Sequence, residues 1–310
     1  MKKLPILFII ALVFVGCQNQ QKPNQQETPS NYDMAIMDGG KLVLYDLAQR
    51  KATPIEAEKD SLFNAVFTND NCLYYSVKQG DNTLLKYINL NDASLKPQST
   101  DGWNLPWNLC YGTDYFCNYA PMLEYHPEAN IIGMSYMMDP DYGFSEFMVY
   151  DRAKGKTVEA SEWDGDLSFL EDYGGDEPFE GMFSFEDMQL SYMDGGEMVC
   201  LTNNLDLGEI DPEWADELSW FGIISVDPTE RFVIFKAAVE IGDDMETTGP
   251  QCLASLDGKI QTVLGDFDES YPGQWLPDGT LVYSTTQGIF QRHPDGKVEK
   301  LYPHGVFILR

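Results

Sequence analysis

From about residue 32 onward, apolar and polar residues alternate in short runs with a period of two, broken by clusters of Asp, Gly, Pro and Asn. A period of two sends successive side chains to opposite faces of a strand, and Asp-Gly between two such runs favours a tight hairpin turn. The clearest stretch is Tyr271 to Tyr302: YPGQW, the turn LPDG, TLVYST, GIFQR, the turn HPDG and KVEKLY. The same phrase recurs over Glu217 to Leu264 (FGIISV, DPTE, RFVIFKAAV, QCLASL, DGK, IQTVL). It recurs again over Leu123 to Ala160 (HPEAN, IIGMSYM, EFMVYD, RAKGK, TVEA) and Ser61 to Thr100 (LFNAVF, TNDN, CLYYSV, TLLKYINL, LKPQ). Copies of four strands spaced about 40 residues apart predict an all-β chain folded as a β-propeller.

Two segments carry a resemblance to known repeats. Leu276-Pro277-Asp278-Gly279-Thr280-Leu281-Val282-Tyr283, and Phe147-Met148-Val149-Tyr150-Asp151 with Gly155-Lys156, resemble the repeats of TolB-like and WD40-like six-bladed propellers. The resemblance covers most of residues 32–310 and implies a fold. It carries over no catalytic residue.

The chain ends complete the count. Residues 32–57 supply three strands (YDMAIMD, LVLYDL, TPIEA) and lack the first of a set, while HGVFILR at 304–310 is an apolar strand with no set of its own. Pairing the two would close a ring and remove exposed sheet edges. With a degenerate copy over 184–204, this gives six four-stranded blades, five or seven being the neighbouring counts.

The N-terminus reads differently. Lys2 and Lys3, the apolar run Leu4 to Val15 and Gly16 before Cys17 form a signal peptide over 1–16. The run is too short to span a bilayer as a helix, which takes roughly 20 residues. Phe14-Val15-Gly16-Cys17 resembles the lipobox of bacterial lipoproteins, which implies lipidation of Cys17 and a membrane partner through that lipid; Phe14 departs from the usual Leu. Residues 17–31 contain almost nothing apolar and read as a disordered tether. Gln18 stands where Asp would favour inner-membrane retention, so the expected location is the outer membrane. Surface-exposed lipoproteins of Bacteroidetes carry an acidic cluster after the Cys. Here only Glu27 stands in the tether, which favours a periplasm-facing domain over the cell surface.

Charge narrows the partners. The formal net charge is −30, and loss of the signal segment removes two lysines and no acid, leaving −32. Such a surface repels nucleic acid. Between Thr157 and Glu230 there is no Lys or Arg among 21 Asp and Glu. Five cysteines follow Cys17. Cys110 and Cys117 are candidates for a disulfide across a short loop, whereas Cys72, Cys200 and Cys252 sit in β-like runs as expected free thiols. No CxxC pair is present.

Two insertions interrupt the repeats, near 102–120 and 161–183. The first holds Trp103, Trp107, Tyr111, Tyr115 and Tyr119, faces that stack on sugar rings or seat apolar peptide side chains when exposed, and that fill space between blades when not. The second is acidic. Asp164 and Asp166 within it, and Asp139 and Asp141 before it, offer alternate oxygen ligands for calcium, although no EF-hand loop is complete and a solvated acidic face explains the same residues. His126 and His293 precede prolines in turns, His304 stands near the end, and neither HExxH nor GxSxG occurs. The expected function is a lipid-anchored envelope binding or scaffold protein recognising a protein or glycan. The alternatives are a propeller glycan lyase or hydrolase using channel carboxylates and a bound metal, and a purely structural envelope component.

Overall fold

The structure, a computed structural model, describes residues 31–55, 61–79, 82–100, 105–106, 122–137, 145–165, 182–186, 189–205, 218–239, 250–265 and 272–310. The signal peptide, Cys17 and the tether up to Ser30 lie outside them. Residues Asn31–Arg310 form one compact unit.

The described residues form six antiparallel sheets and, apart from one turn of 3-10 helix at Ala160–Glu162, no helix. The fold is an all-β propeller. The first sheet holds β1 (Met34–Asp38), β2 (Lys41–Asp46) and β3 (Lys51–Pro54). The second holds β4 (Ser61–Phe67), β5 (Cys72–Gln79), β6 (Asn82–Asn89), β7 (Gln98–Ser99) and β8 (Leu105–Pro106); the third, β9 (Met122–His126), β10 (Ile131–Met137), β11 (Ser145–Asp151) and β12 (Lys156–Glu159). The fourth contains β13 (Phe183–Glu186), β14 (Gln189–Asp194) and β15 (Glu197–Cys200). The fifth contains β16 (Leu218–Val226), β17 (Phe232–Val239), β18 (Gln251–Ser255) and β19 (Gln261–Gly265). The sixth contains β20 (Gln274–Trp275), β21 (Leu281–Thr285), β22 (Gly288–Arg292) and β23 (Val298–Tyr302), after which comes β24 (Val306–Leu309).

The last strand joins the first sheet, in the order β24-β1-β2-β3, with Met34 opposite Leu309 and Met37 opposite Val306. The end-to-end pairing expected from the two incomplete termini is therefore present. Two sheets depart from four strands. In the second, β7 and β8 both pair with β6, at Tyr87↔Gln98 and Thr83↔Leu105, so the outer strand is broken into two short pieces. In the fourth, three strands lie among the described residues.

The core lies between sheets, in apolar clusters. Leu44 and Ala35 meet Leu73 and Tyr75 between the first and second; Tyr74 and Leu85 meet Ile132 and Met134 between the second and third. Leu190 and Leu201 meet Val233 and Cys252 between the fourth and fifth. Ile234 and Leu253 meet Leu281 between the fifth and sixth, and Val282 and Ile289 meet Met34, Ile36 and Phe307 between the sixth and first. Burying aliphatic side chains on both faces of a strand explains its near-continuous apolar runs, as in Leu42–Tyr45. Among the described residues, no such cluster joins the third sheet to the fourth.

Candidate functional site: the loop-bearing end and the open face of the fourth sheet

The two ends of the sheets are built differently. At one end, turns are short and tied down by side chains. Asp151 Oδ1 accepts the backbone N–H groups of Ala153 and Lys154, Asp227 Oδ1 those of Thr229 and Arg231, and Asp46 Oδ1 that of Gln49. All three aspartates are buried, and each takes up turn N–H groups that would otherwise lack partners. Hydrogen bonds between Asp151 and the turn hold its carboxyl below the usual range, against the opposing effect of burial.

At the other end, first strands begin, second strands end, third strands begin and fourth strands end. The register shows this directly in the second sheet, where Ser61 faces Lys78, Gln79 faces Asn82 and Thr83 faces Leu105. The strand ends joined by the β8–β9, β10–β11 and β17–β18 connections all lie at this end. The first insertion starts from β8 and returns at β9. The second follows β12 and first packs back on the tight-turn end, where Trp163 Nε1 donates to Asp151 Oδ2 at 3.2 Å, before the chain returns at β13.

Of the candidate residues, Asp164 is described. Its Oδ1 accepts from Lys154 Nζ at 2.6 Å, and the same ammonium reaches Asp151 Oδ2 at 3.3 Å, so its carboxylate is held below its ordinary range by Lys154. Trp103, Trp107, Tyr111, Tyr115, Tyr119, Asp139, Asp141, Asp166, Cys110 and Cys117 lie outside the described residues, as does Cys17. Among the described residues, no three His, Cys, Asp or Glu side chains converge as a metal site. His126 is buried at the end of β9, His293 lies 3.6 Å from Glu299 Oε2, and His304 Nδ1 is 2.7 Å from Asp38 Oδ1.

Charged groups bind neighbouring sheets together at the tight-turn end. Arg152, in the turn after β11, meets both Asp70 carboxylate oxygens, Asn130 Oδ1 at 2.6 Å and the Tyr74 hydroxyl at 3.2 Å. Its guanidinium lies over the rings of Tyr74 and Tyr125, 5.1 and 5.3 Å from their centroids. Burial disfavours its charge, but the Tyr74 and Asp70 hydrogen bonds outweigh that and raise its pKa. Glu299 on β23 is the second junction. It accepts from Lys297 at 2.5 Å, from Gln291 Nε2 at 3.0 Å and from Arg50 of the first sheet.

The fourth sheet carries what the sequence reading missed. Phe183, Leu190, Tyr192 and Val199 face the fifth sheet, so the alternate positions face the other way. Those positions include Met193, Met198 and Cys200, with Met182 just ahead of β13. Met182, Met193 and Met198 are 39%, 44% and 48% exposed. The signal was present in MDGGEM: a two-residue Gly195-Gly196 loop puts the flanking methionines opposite each other. Both glycines have positive φ, +56° and +94°, the conformation such a loop requires.

No family profile matches the chain, and no curated protein matches it in sequence. Solved structures do resemble it. TolB from Acinetobacter baumannii aligns over 90% of this chain and 66% of its own, at 12% identity and a TM-score of 0.45. This chain thus spans just under two thirds of that protein. The β-propeller domain of the Trilobed protease from Pyrococcus furiosus aligns over 84% of this chain and 73% of its own, at 9% identity and a TM-score of 0.31. An endo-arabinase from Bacteroides thetaiotaomicron aligns over 81% and 93%, at 10% identity and a TM-score of 0.31. Likeness of this degree concerns the fold alone and passes on no residue role.

Proposed function

We propose that the chain is a lipid-anchored binding protein of the bacterial envelope whose loop-bearing end takes a protein or glycan partner. The observation that carries this reading is the asymmetry of the sheets: turns pinned by buried aspartates at one end, and the long connections β8–β9 and β17–β18 joining strand ends at the other. A rigid scaffold that presents variable loops on one side is the usual arrangement of a recognition surface. The sequence between β8 and β9 contains Trp107, Tyr111, Tyr115 and Tyr119, a composition suited to stacking on sugar rings or seating apolar side chains. The acids Asp139, Asp141, Asp164 and Asp166 make calcium a reasonable co-ligand. Cys17 and the polar tether would hold this surface at the outer membrane, facing the periplasm.

The test uses the full chain in detergent, presented to envelope extract and to a glycan panel with calcium or with chelator. Retention of a partner that is lost when residues 107–121 are replaced by a Gly-Ser linker, yet kept in Lys259→Glu at the opposite end, supports the reading. Absence of any retained partner, or retention indifferent to the replacement, overturns it. Labelling with a fatty-acid analogue tests the anchor, since Cys17→Ala should abolish both label and membrane association.

A further inference from the structure

The outward face of the fourth sheet gathers sulfur. Met193 and Met198 are directly opposite each other across β14 and β15, and residues so placed have Cβ atoms about 4.5–5.5 Å apart. The Met193 N–H donates to the Met182 carbonyl at 2.9 Å, which extends the row across the first strand of the sheet. Cys200 stands two residues beyond Met198 on β15, hence on the same face, diagonal to Met193 at about 7–8 Å between backbones. Three rotatable bonds let each methionine bring its thioether toward a common point beside that thiol.

Three observations set this face apart. Of the five large apolar side chains exposed among the described residues, three are these methionines. Cys200 is free, and its thiol makes one weak contact, donating to Gln189 Oε1 at 3.4 Å on the side away from Met193, so a turn about its single side-chain bond is what brings it to the methionines. The surrounding charges are negative: Glu186, Asp194 and Glu197 are exposed on the same three strands, in a stretch of chain without Lys or Arg from Thr157 to Glu230. Thioethers are neutral, soft donors that attract neither calcium nor magnesium, whereas a thioether and thiolate set suits Cu(I). The acids raise the local concentration of any cation without displacing the sulfurs as ligands.

We propose that Met193, Met198 and Cys200, with Met182 within reach, form a binding site for a soft monovalent cation, Cu(I). On binding, the Cys200 S–H bond breaks, its proton passes to solvent and an S–Cu bond forms, while the two thioether sulfurs donate lone pairs; no electron changes hands. The sulfur ligands are residues other than those of the 107–121 segment, so replacement of that segment and substitution of Met193, Met198 or Cys200 test the two readings separately. Cys72 and Cys252 are buried and cannot substitute for Cys200 at this face.

The experiment uses the full chain in detergent micelles, labelled at methionine methyl carbons, with Ag(I) as a redox-inert stand-in and then Cu(I) under anaerobic reducing conditions against a chromophoric chelator. The methyl signals of Met193 and Met198, assigned through Leu substitutions, should move with the first equivalent of Ag(I) while buried Met34 and Met134 stay in place. C200S and the double variant M193L/M198L should each weaken Cu(I) retention at least tenfold, with unchanged thermal unfolding. Unmoved Met193 and Met198 signals at one equivalent, or Cu(I) retention in the triple variant C200S/M193L/M198L equal to that of the parent, overturns the proposal.

Discussion

Arg152 holds both carboxylate oxygens of Asp70, at 2.7 and 2.6 Å, across the junction of the second and third sheets. The two partners are unequal: the Arg152 side chain is 8% exposed and that of Asp70 59%. Removing the buried member strands Asn130, the Tyr74 hydroxyl and two aromatic faces, while removing the exposed member leaves Arg152 its other contacts. Arg152→Ala is therefore expected to cost about 3 kcal/mol, and Asp70→Asn about 1 kcal/mol or less. Urea unfolding of both variants checks the ratio.

Glu299 predicts a pH dependence. Lys297, then Arg50 and Gln291, hold its carboxyl down at about 2 against the opposing effect of burial, from an ordinary 4.5. A depressed carboxyl contributes stability that is fully present above its unfolded pKa and is lost as pH falls through its folded one. The difference in unfolding midpoint between the parent and Glu299→Gln should thus be constant above about pH 4.5 and close as pH falls toward about 2. Thermal melts across that window measure it.

The free thiols should react in a fixed order. Burial pushes the Cys252 thiol up to about 12, and burial, then the Asp70 charge, also raises that of Cys72. Cys200 is only partly buried. Site-resolved mass spectrometry after alkylation at pH 8 should find Cys200 modified in the folded protein, and Cys72 and Cys252 modified only once denaturant unfolds it.

Phe307 on β24 is fully buried between the first and sixth sheets. Phe307→Ala is expected to cost about 3–5 kcal/mol in chemical denaturation. Truncation after Gly305 should do more, because it leaves the β1 edge without a partner; light scattering should detect self-association.

What the sequence disclosed was local. The hairpins of β21–β22 and β10–β11 were legible because period-two runs and their turn residues lie within a few positions of one another. The broken outer strand of the second sheet was less so, since Gln98–Ser99 and Leu105–Pro106 are too short to show a period. The clamp from Arg152 to Asp70 spans 82 positions and exists only once two sheets stack, so no spacing rule exposes it. The Met193 and Met198 pair lies between these cases. Their symmetry about Gly195-Gly196 was visible, but which face of the strand meets a neighbour is decided by packing. Asp164 looked like any other acid in sequence; its pairing with Lys154 appears only once the chain folds back on the β11–β12 turn.

The pairing of β1 with β24 also governs when this protein can fold. Val306 to Leu309 pair with a strand at the far end of the sheet region, so the first sheet lacks a strand until these two distant segments meet. Closing so long a loop adds only a logarithmic entropic cost to the final state but slows its formation, since contacts distant along the chain form late. A nascent chain halted at Gly305 would hold Phe307's cavity empty and the β1 edge open.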